Sequence, residues 1–254
     1  MFVKTDGLII KENFYSEKDK IITILTRNNG LIRAFAKGCR NVKHKNFSDI
    51  QFLNYSDFTF FFKGETYTVN EAQLKMSFFY LKKDFESLIL AQYFCEIIIN
   101  LVKENMESEN ILKLTLNSIY ALTNNKFNKR IVKSVFEFRL LKLLGYQPNF
   151  LECKFCKDTN INEFFFSKKD NIFICLSCIK KNTNKLNYNY KFVKINSSVL
   201  SALKHSIYSK DKNIFSFSLS NENIKAFFEI TQSCLLSHIN KPLKTLKIYE
   251  EWQH

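Results

Sequence analysis

Four cysteines, Cys153, Cys156, Cys175 and Cys178, constrain this chain more than any other feature. They form two Cys-x2-Cys pairs separated by the eighteen residues 157 to 174, a spacing within the range of a four-cysteine zinc site. Two residues between paired cysteines allow a tight turn that aims both sulfurs at one ion. A second such turn, brought alongside by a hairpin, completes the tetrahedron. Four thiolates fill the zinc shell and leave no position for substrate or activated water, so one structural zinc ion is expected. The alternatives are two disulfides, four buried thiols, or a redox pair that would leave its twin unexplained.

Disulfides require an oxidising compartment. The opening, Met1 to Gly7, lacks the basic and then apolar segments of an export signal. No apolar run approaches the roughly 18 residues of a membrane helix. A cytoplasmic protein with no membrane partner is therefore expected. The remaining cysteines, Cys39, Cys95 and Cys234, are an odd set that suits a reducing environment. Cys95 and Cys234 fall in helical patterns and read as small core residues.

The chain has 254 residues, enough for one large domain or two to three small ones. Its formal charge of +14 favours a polyanion such as nucleic acid. A Lys- and Asn-rich composition also follows from an AT-rich genome, so clustered charge carries more weight than the total.

Residues 1 to about 77 read as β. Lys20 to Thr26 and Leu31 to Ala36 are strands joined by Asn28-Asn29-Gly30, whose residues tolerate the positive φ of a tight turn. Val3 to Ile10 precedes them. Phe52 to Phe62, a Lys63-Gly64 turn and Thr66 to Val69 follow. Five short antiparallel strands suit a small closed barrel, of which the OB-fold is one. Residues 78–148 and 184–254 read as a helical domain. Its apolar stripes step by threes and fours through Phe85 to Val102, 111 to 122, Val132 to Leu143, and Ile224 to His238. Gly145 and Pro148 close the third of these. Residues 149–183 form an inserted cysteine module. In it the segments 163 to 166 and 171 to 174 flank Lys168-Lys169-Asp170 as a hairpin. Residues 182 to 191 read as a loop. The expected fold class is thus α+β and multidomain: an N-terminal barrel, helices and a four-cysteine module.

The basic cluster is Lys37, Arg40, Lys43 and Lys45 around His44, with Arg33 and Phe35 before it and Lys18 and Lys20 near Phe14 and Tyr15. A basic loop beside aromatic strand faces makes a groove for single-stranded nucleic acid, where cations track phosphates and rings stack on bases. The competing reading is a solvated loop. Tyr15 is the favoured stacking residue, because strand alternation is taken to turn Phe35 into the core. No catalytic residue is expected. The four histidines, His44, His205, His238 and His254, make no His-x-Glu or His-Glu-x-x-His pattern, and P-loop and dinucleotide motifs are absent. Glu250-Glu251 reads as part of a frayed end.

The run TDGLIIKENFYSEKDKIITILTRNNGLIRAFAKGCR (Thr5 to Arg40) resembles the opening of the RecO family of bacterial recombination mediators. FEFRLLKLLGYQPNFLECKFC (Phe136 to Cys156) is similar to that family's helix leading into its zinc site, and KPLKTL (Lys241 to Leu246) to its C-terminal signature. The resemblance implies an OB-fold, a helical domain and a four-cysteine zinc module. It also implies binding of single- and double-stranded DNA, annealing of complementary strands, and work with RecR to help RecA displace single-strand-binding protein. Lys37 and Arg40 match the family's basic positions after the third strand, with Lys43 and Lys45 supporting. The family docks the acidic tail of single-strand-binding protein on its helical domain, and Arg139 is a candidate contact. Two readings compete with this one: a zinc-stapled protein scaffold whose charge is incidental, and a zinc-ribbon RNA-binding protein.

Overall fold

The computed structural model describes residues 1–124, 126–159, 164–181 and 192–253. They fall into two compact units: residues 1–124 with 242–254, and residues 125–241.

The first unit is built on five strands: β1 (Phe2–Phe14), β2 (Lys20–Thr26), β3 (Leu31–Ala36), β4 (Asn54–Lys63) and β5 (Thr66–Ser77). They close in the order β1-β2-β3-β5-β4, with β3 and β5 parallel and the other pairs antiparallel. This is an OB-like barrel. Closure removes every free edge, and it needs strands that bend. A bulge in β1 between Ile9 and Lys11 lets one strand pair with both β2 and β4. Two register shifts do the same for the β4–β5 pair. Ile9, Ile22, Ile24, Ile32, Ala34, Ala36, Phe58 and Phe60 fill the interior. The small alanines of β3 leave room for the stacked Phe58 and Phe60 rings.

β1 and β5 outrun their sequence signals, and β4 starts later than its own. β5 extends to Ser77, although its stretch from Asn70 to Ser77 buries only Ala72. Main-chain pairing with β4 continues it where apolar patterning stops. β4 begins at Asn54, because Leu53 adopts a positive φ of 64°.

Gly30, in the β2–β3 turn, is required twice over. Its φ is +62°, and a Cβ there would lie 2.0 Å from the Lys103 carbonyl oxygen. The turn is thereby seated on the segment between α1 (Phe85–Leu101) and α2 (Glu109–Thr123). There Ser108 Oγ accepts from the Gly30 N–H and donates to the Thr26 carbonyl. α7 (Lys244–Trp252) packs on α1. Its first turn donates to the Glu96 carboxylate through the Lys244 and Thr245 amides, which satisfies N–H groups that a helix start leaves open. Glu250 and Glu251 lie in the last turn of this helix.

The second unit contains α3 (Lys129–Leu143), the hairpin β6 (Phe164–Ser167) and β7 (Ile172–Cys175), α4 (Leu176–Lys181), β8 (Phe192–Ile195), α5 (Ser197–Tyr208) and α6 (Asn221–Leu236). The helices therefore divide between the units: α1, α2 and α7 go with the barrel, and α3, α5 and α6 with the cysteines. β8 adds a third strand beside β6. At four residues it is too short to give a periodic signal. The expected loop at 182–191, and residue 163, lie outside the described residues.

A polar network centred on the buried Lys133 and Glu137 joins α3 to α6. Lys133 Nζ donates to Glu137 Oε1 at 2.5 Å and to Gln232 Oε1 at 2.8 Å, and Thr231 donates to the other Glu137 oxygen. The ammonium also lies 3.9 Å from the centre of the Phe228 ring. Charges this deep persist only when paired and hydrogen-bonded. No helix among the described residues is long and apolar enough to cross a membrane.

Candidate metal centre and nucleic-acid interface

The hairpin carries Cys175 at the end of β7 and Cys178 in the first turn of α4. Cys153 and Cys156 sit on a turn in which the Lys157 N–H donates to the Cys153 carbonyl, and Lys157 takes a positive φ of 62°. A main-chain bond from Lys154 N–H to the Phe173 carbonyl ties this turn to the hairpin. The four sulfurs lie within 4.8 Å of one another. Cys156 Sγ and Cys175 Sγ are 3.7 Å apart. That matches the edge of a tetrahedron with metal–sulfur bonds of about 2.3 Å, and it is far beyond the ~2.05 Å of a disulfide.

Amides already point at the sulfurs. The Cys175 N–H donates to Cys153 Sγ and the Cys178 N–H to Cys175 Sγ, both at 3.4 Å. Such donors orient and stabilise thiolate ligands. Burial pushes the Cys175 thiol up, but the Ser177 hydroxyl and the Cys178 amide outweigh it and bring the group down to about 6. Burial and the neighbouring cysteines push Cys178 up to about 12. The cluster can thus hold a metal ion.

The module does not depend on these ligands alone. Phe150, Phe164, Phe166 and Phe173 form a ring cluster that reaches Phe138 of α3. The hairpin turn is fastened to α6 by the Lys168–Glu229 ion pair and by Ser233 Oγ, which donates to the Asn171 side chain.

On the barrel, the sequence-predicted cations take different places. Lys37 and Arg40 are exposed at the start of the 37–53 loop. The Arg40 guanidinium lies 4.3 Å from the centre of the Phe14 ring and donates to the Ser16 carbonyl. Asp19 accepts from the Gly38 amide, which lowers its carboxyl below the usual range, and Lys37 and Lys18 assist. The loop is thus tied to the β1–β2 turn at its base, and its cations stand outward. Cys39 is buried beneath it, with Sγ 3.2 Å from His44 Nδ1. Lys43 and Lys45 are exposed farther along the loop, where the Lys43 N–H donates to the Asn41 side chain. Lys20 does not belong to the surface: it is 3% exposed, and its ammonium binds Glu12 and the Ile50 carbonyl.

Phe35 reverses the expectation. Ile32, Ala34 and Ala36 enter the core, so Phe35 shares the outer face of β3 with exposed Arg33. Its ring meets Tyr15 edge to face, with centroids 5.3 Å apart, and Tyr15 is 64% exposed. The structure therefore brings together Phe14 and Tyr15 at the end of β1 and its turn, Arg33 and Phe35 of β3, and Lys37 and Arg40 of the loop that follows. Beside them lies a cavity of about 620 Å³ lined by Arg33, Phe35, Tyr67, Glu65, Glu104 and others.

In the second unit, Arg139 is 14% exposed on its side chain. Its guanidinium donates to the carbonyls of Ser206, Ile207 and Ser209 and to Asp211, and Lys142 Nζ adds a bond to Ile207. Two cations at the carbonyl end of α5 complement its dipole. Arg139 would have to release α5 to meet a partner's carboxylate.

Sequence comparison agrees with this architecture along almost the whole chain. The family model for Recombination protein O N terminal matches residues 1–78, and that for Recombination protein O C terminal matches residues 82–247. The protein is similar to DNA repair protein RecO of Acetivibrio thermocellus, 32% identical over 240 residues that cover 94% of this chain and 93% of that one. DNA repair protein RecO of Clostridium perfringens is 28% identical over 252 residues, covering 98% and 99%. Two family models that abut between the barrel and α1, and relatives matched nearly end to end, place this chain in the RecO family.

Proposed function

We propose that this protein is a DNA-binding recombination mediator that anneals complementary single strands. With RecR, it helps load RecA onto strands coated by single-strand-binding protein. One observation supports this most: aromatic rings and unburied cations alternate on one barrel surface, from Tyr15 and Phe35 to Arg33, Lys37 and Arg40. Rings stack on bases of any sequence while cations follow the phosphates. The family membership supplies the repair context.

On this reading the protein makes and breaks no bonds. Two single strands repel along their phosphates. A surface of high positive potential offsets the repulsion, and each neutralised phosphate releases counterions. Such chemistry needs no active-site residue, and it operates in the cytoplasm on both single- and double-stranded DNA. The acidic tail of single-strand-binding protein would dock elsewhere, on a helical surface. The metal is zinc, held by Cys153, Cys156, Cys175 and Cys178. Its role is structural, since four thiolates complete its shell.

The test is charge reversal. Lys37→Glu with Arg40→Glu should weaken binding of any DNA sequence by a similar factor, because phosphate contacts do not read bases. It should also flatten the dependence of affinity on salt. Unchanged binding by a folded variant would contradict the assignment.

A further inference from the structure

The outer face of the barrel carries more than a basic surface. Beside that face lies a cavity of about 620 Å³, lined by Phe35 from the outer face and by Tyr67, a half-buried ring that packs against the barrel core. Tyr67 is fixed by the Phe60 and Phe62 rings, with centroids 5.8 and 4.5 Å away. The rim holds charges of both signs: Arg33 from β3, Glu65 from the β4–β5 turn and Glu104 from the segment after α1. None of the three forms an ion pair among the described residues. Glu104 is displayed by a fixed main chain. It bridges Gly30, and the next residue, Asn105, donates its N–H to the Asn29 carbonyl at 2.9 Å.

Two unpaired carboxylates are poorly suited to phosphates but well suited to amino groups. A carboxylate accepts hydrogen bonds only. It therefore discriminates bases by their exocyclic amines, as glutamate does toward the cytosine amino group in a groove. A paired base cannot enter, since its amino group and both faces are engaged in the duplex. We propose that this cavity receives unpaired bases of a bound strand and that Glu65 and Glu104 favour those bearing an exocyclic amino group. The inference rests on the DNA-binding reading above and deepens it: Lys37 and Arg40 hold the phosphates, Phe35 and Tyr67 flank the bases, and the carboxylates select among them.

Oligo-deoxycytidine and oligo-deoxyuridine of equal length test this directly, because their bases differ at position 4, amino against carbonyl, and in the N3 acceptor or donor that follows from it. Binding of each to the full chain is measured by fluorescence anisotropy at neutral pH and one fixed salt concentration. The wild type should prefer the cytidine strand by about fivefold or more, the lower end of what one well-placed contact discriminates. Glu65→Ala with Glu104→Ala should bring the ratio close to one, whereas Phe35→Ala should weaken both strands alike by about tenfold. A wild-type ratio of one overturns the inference and leaves the DNA-binding reading intact. So does a double variant that binds both strands more tightly with the ratio preserved, since the carboxylates then only repel phosphates. Failure of the wild type to bind either strand contradicts both.

Discussion

The barrel and the cysteine module use their most distinctive residues in opposite ways. In the module, Cys153, Cys156, Cys175 and Cys178 face one another, and the surrounding amides and rings all serve to hold the segment together. In the barrel, stability comes from closure and an aliphatic core. That leaves Tyr15, Arg33, Phe35, Lys37 and Arg40 with little structural duty beyond the base of a loop. The most conspicuous motif in the chain is therefore the one proposed to act structurally, while the surface proposed to act on DNA is made of residues that look ordinary one at a time.

The largest effect that would break this contrast is loss of the metal. Structural zinc contributes about 10–16 kcal/mol of apparent binding energy in small finger peptides. Cys175→Ser should release the ion, measured by metal content, and open the 150–181 segment to protease. DNA binding by the barrel surface should persist. Retention of one metal equivalent would refute the four-thiolate centre, and loss of DNA binding would merge the two roles that the comparison separates.

The next effect lies beneath the module. Glu137→Gln leaves Lys133 fully buried with its neutralising carboxylate gone. Breaking such a pair costs about 3–5 kcal/mol, so thermal unfolding should move down sharply. An unchanged midpoint would mean that the α3–α6 network contributes nothing to the second unit.

A smaller effect sharpens the barrel side. Burial alone would raise the Asp6 carboxyl, but Arg27 and Tyr55 bind it and hold it down at about 2. The unfolded value is near 3.8. Stability from this group is therefore complete above pH 4 and lost as pH falls through about 2, and it amounts to about 2 kcal/mol. Asp6→Asn should lower stability at pH 7 and flatten its dependence on pH between 4 and 2, as followed by urea unfolding. An identical acid limb in the variant would show that the Asp6–Arg27 pair is not linked to barrel stability.

The four-cysteine cluster, the barrel and the helices are legible because each leaves a periodic or spaced signal. Cys-x2-Cys fixes a turn, Asn28-Asn29-Gly30 fixes a hairpin, and threes and fours fix helices. What escaped has weaker local signatures. β8 is four residues long, and the latter half of β5 is held by main-chain pairing rather than by apolar alternation. Strand alternation places Phe35 correctly only when its phase is set by Arg33, two residues earlier on the same face, which cannot enter the core, whereas Ala34 and Ala36 can. Lys20, grouped with the surface cations by its sequence neighbours, is buried. Its burial depends on Glu12 across the β1–β2 pair and on Ile50 thirty positions away, which no local pattern contains.

The central claim is that the barrel surface brings two strands together through their charge. The most direct test is the rate at which complementary labelled oligonucleotides anneal with and without the protein across a salt series. Acceleration at low salt that fades steeply as salt rises is predicted. No acceleration at any salt, together with no DNA binding at low salt, would contradict it.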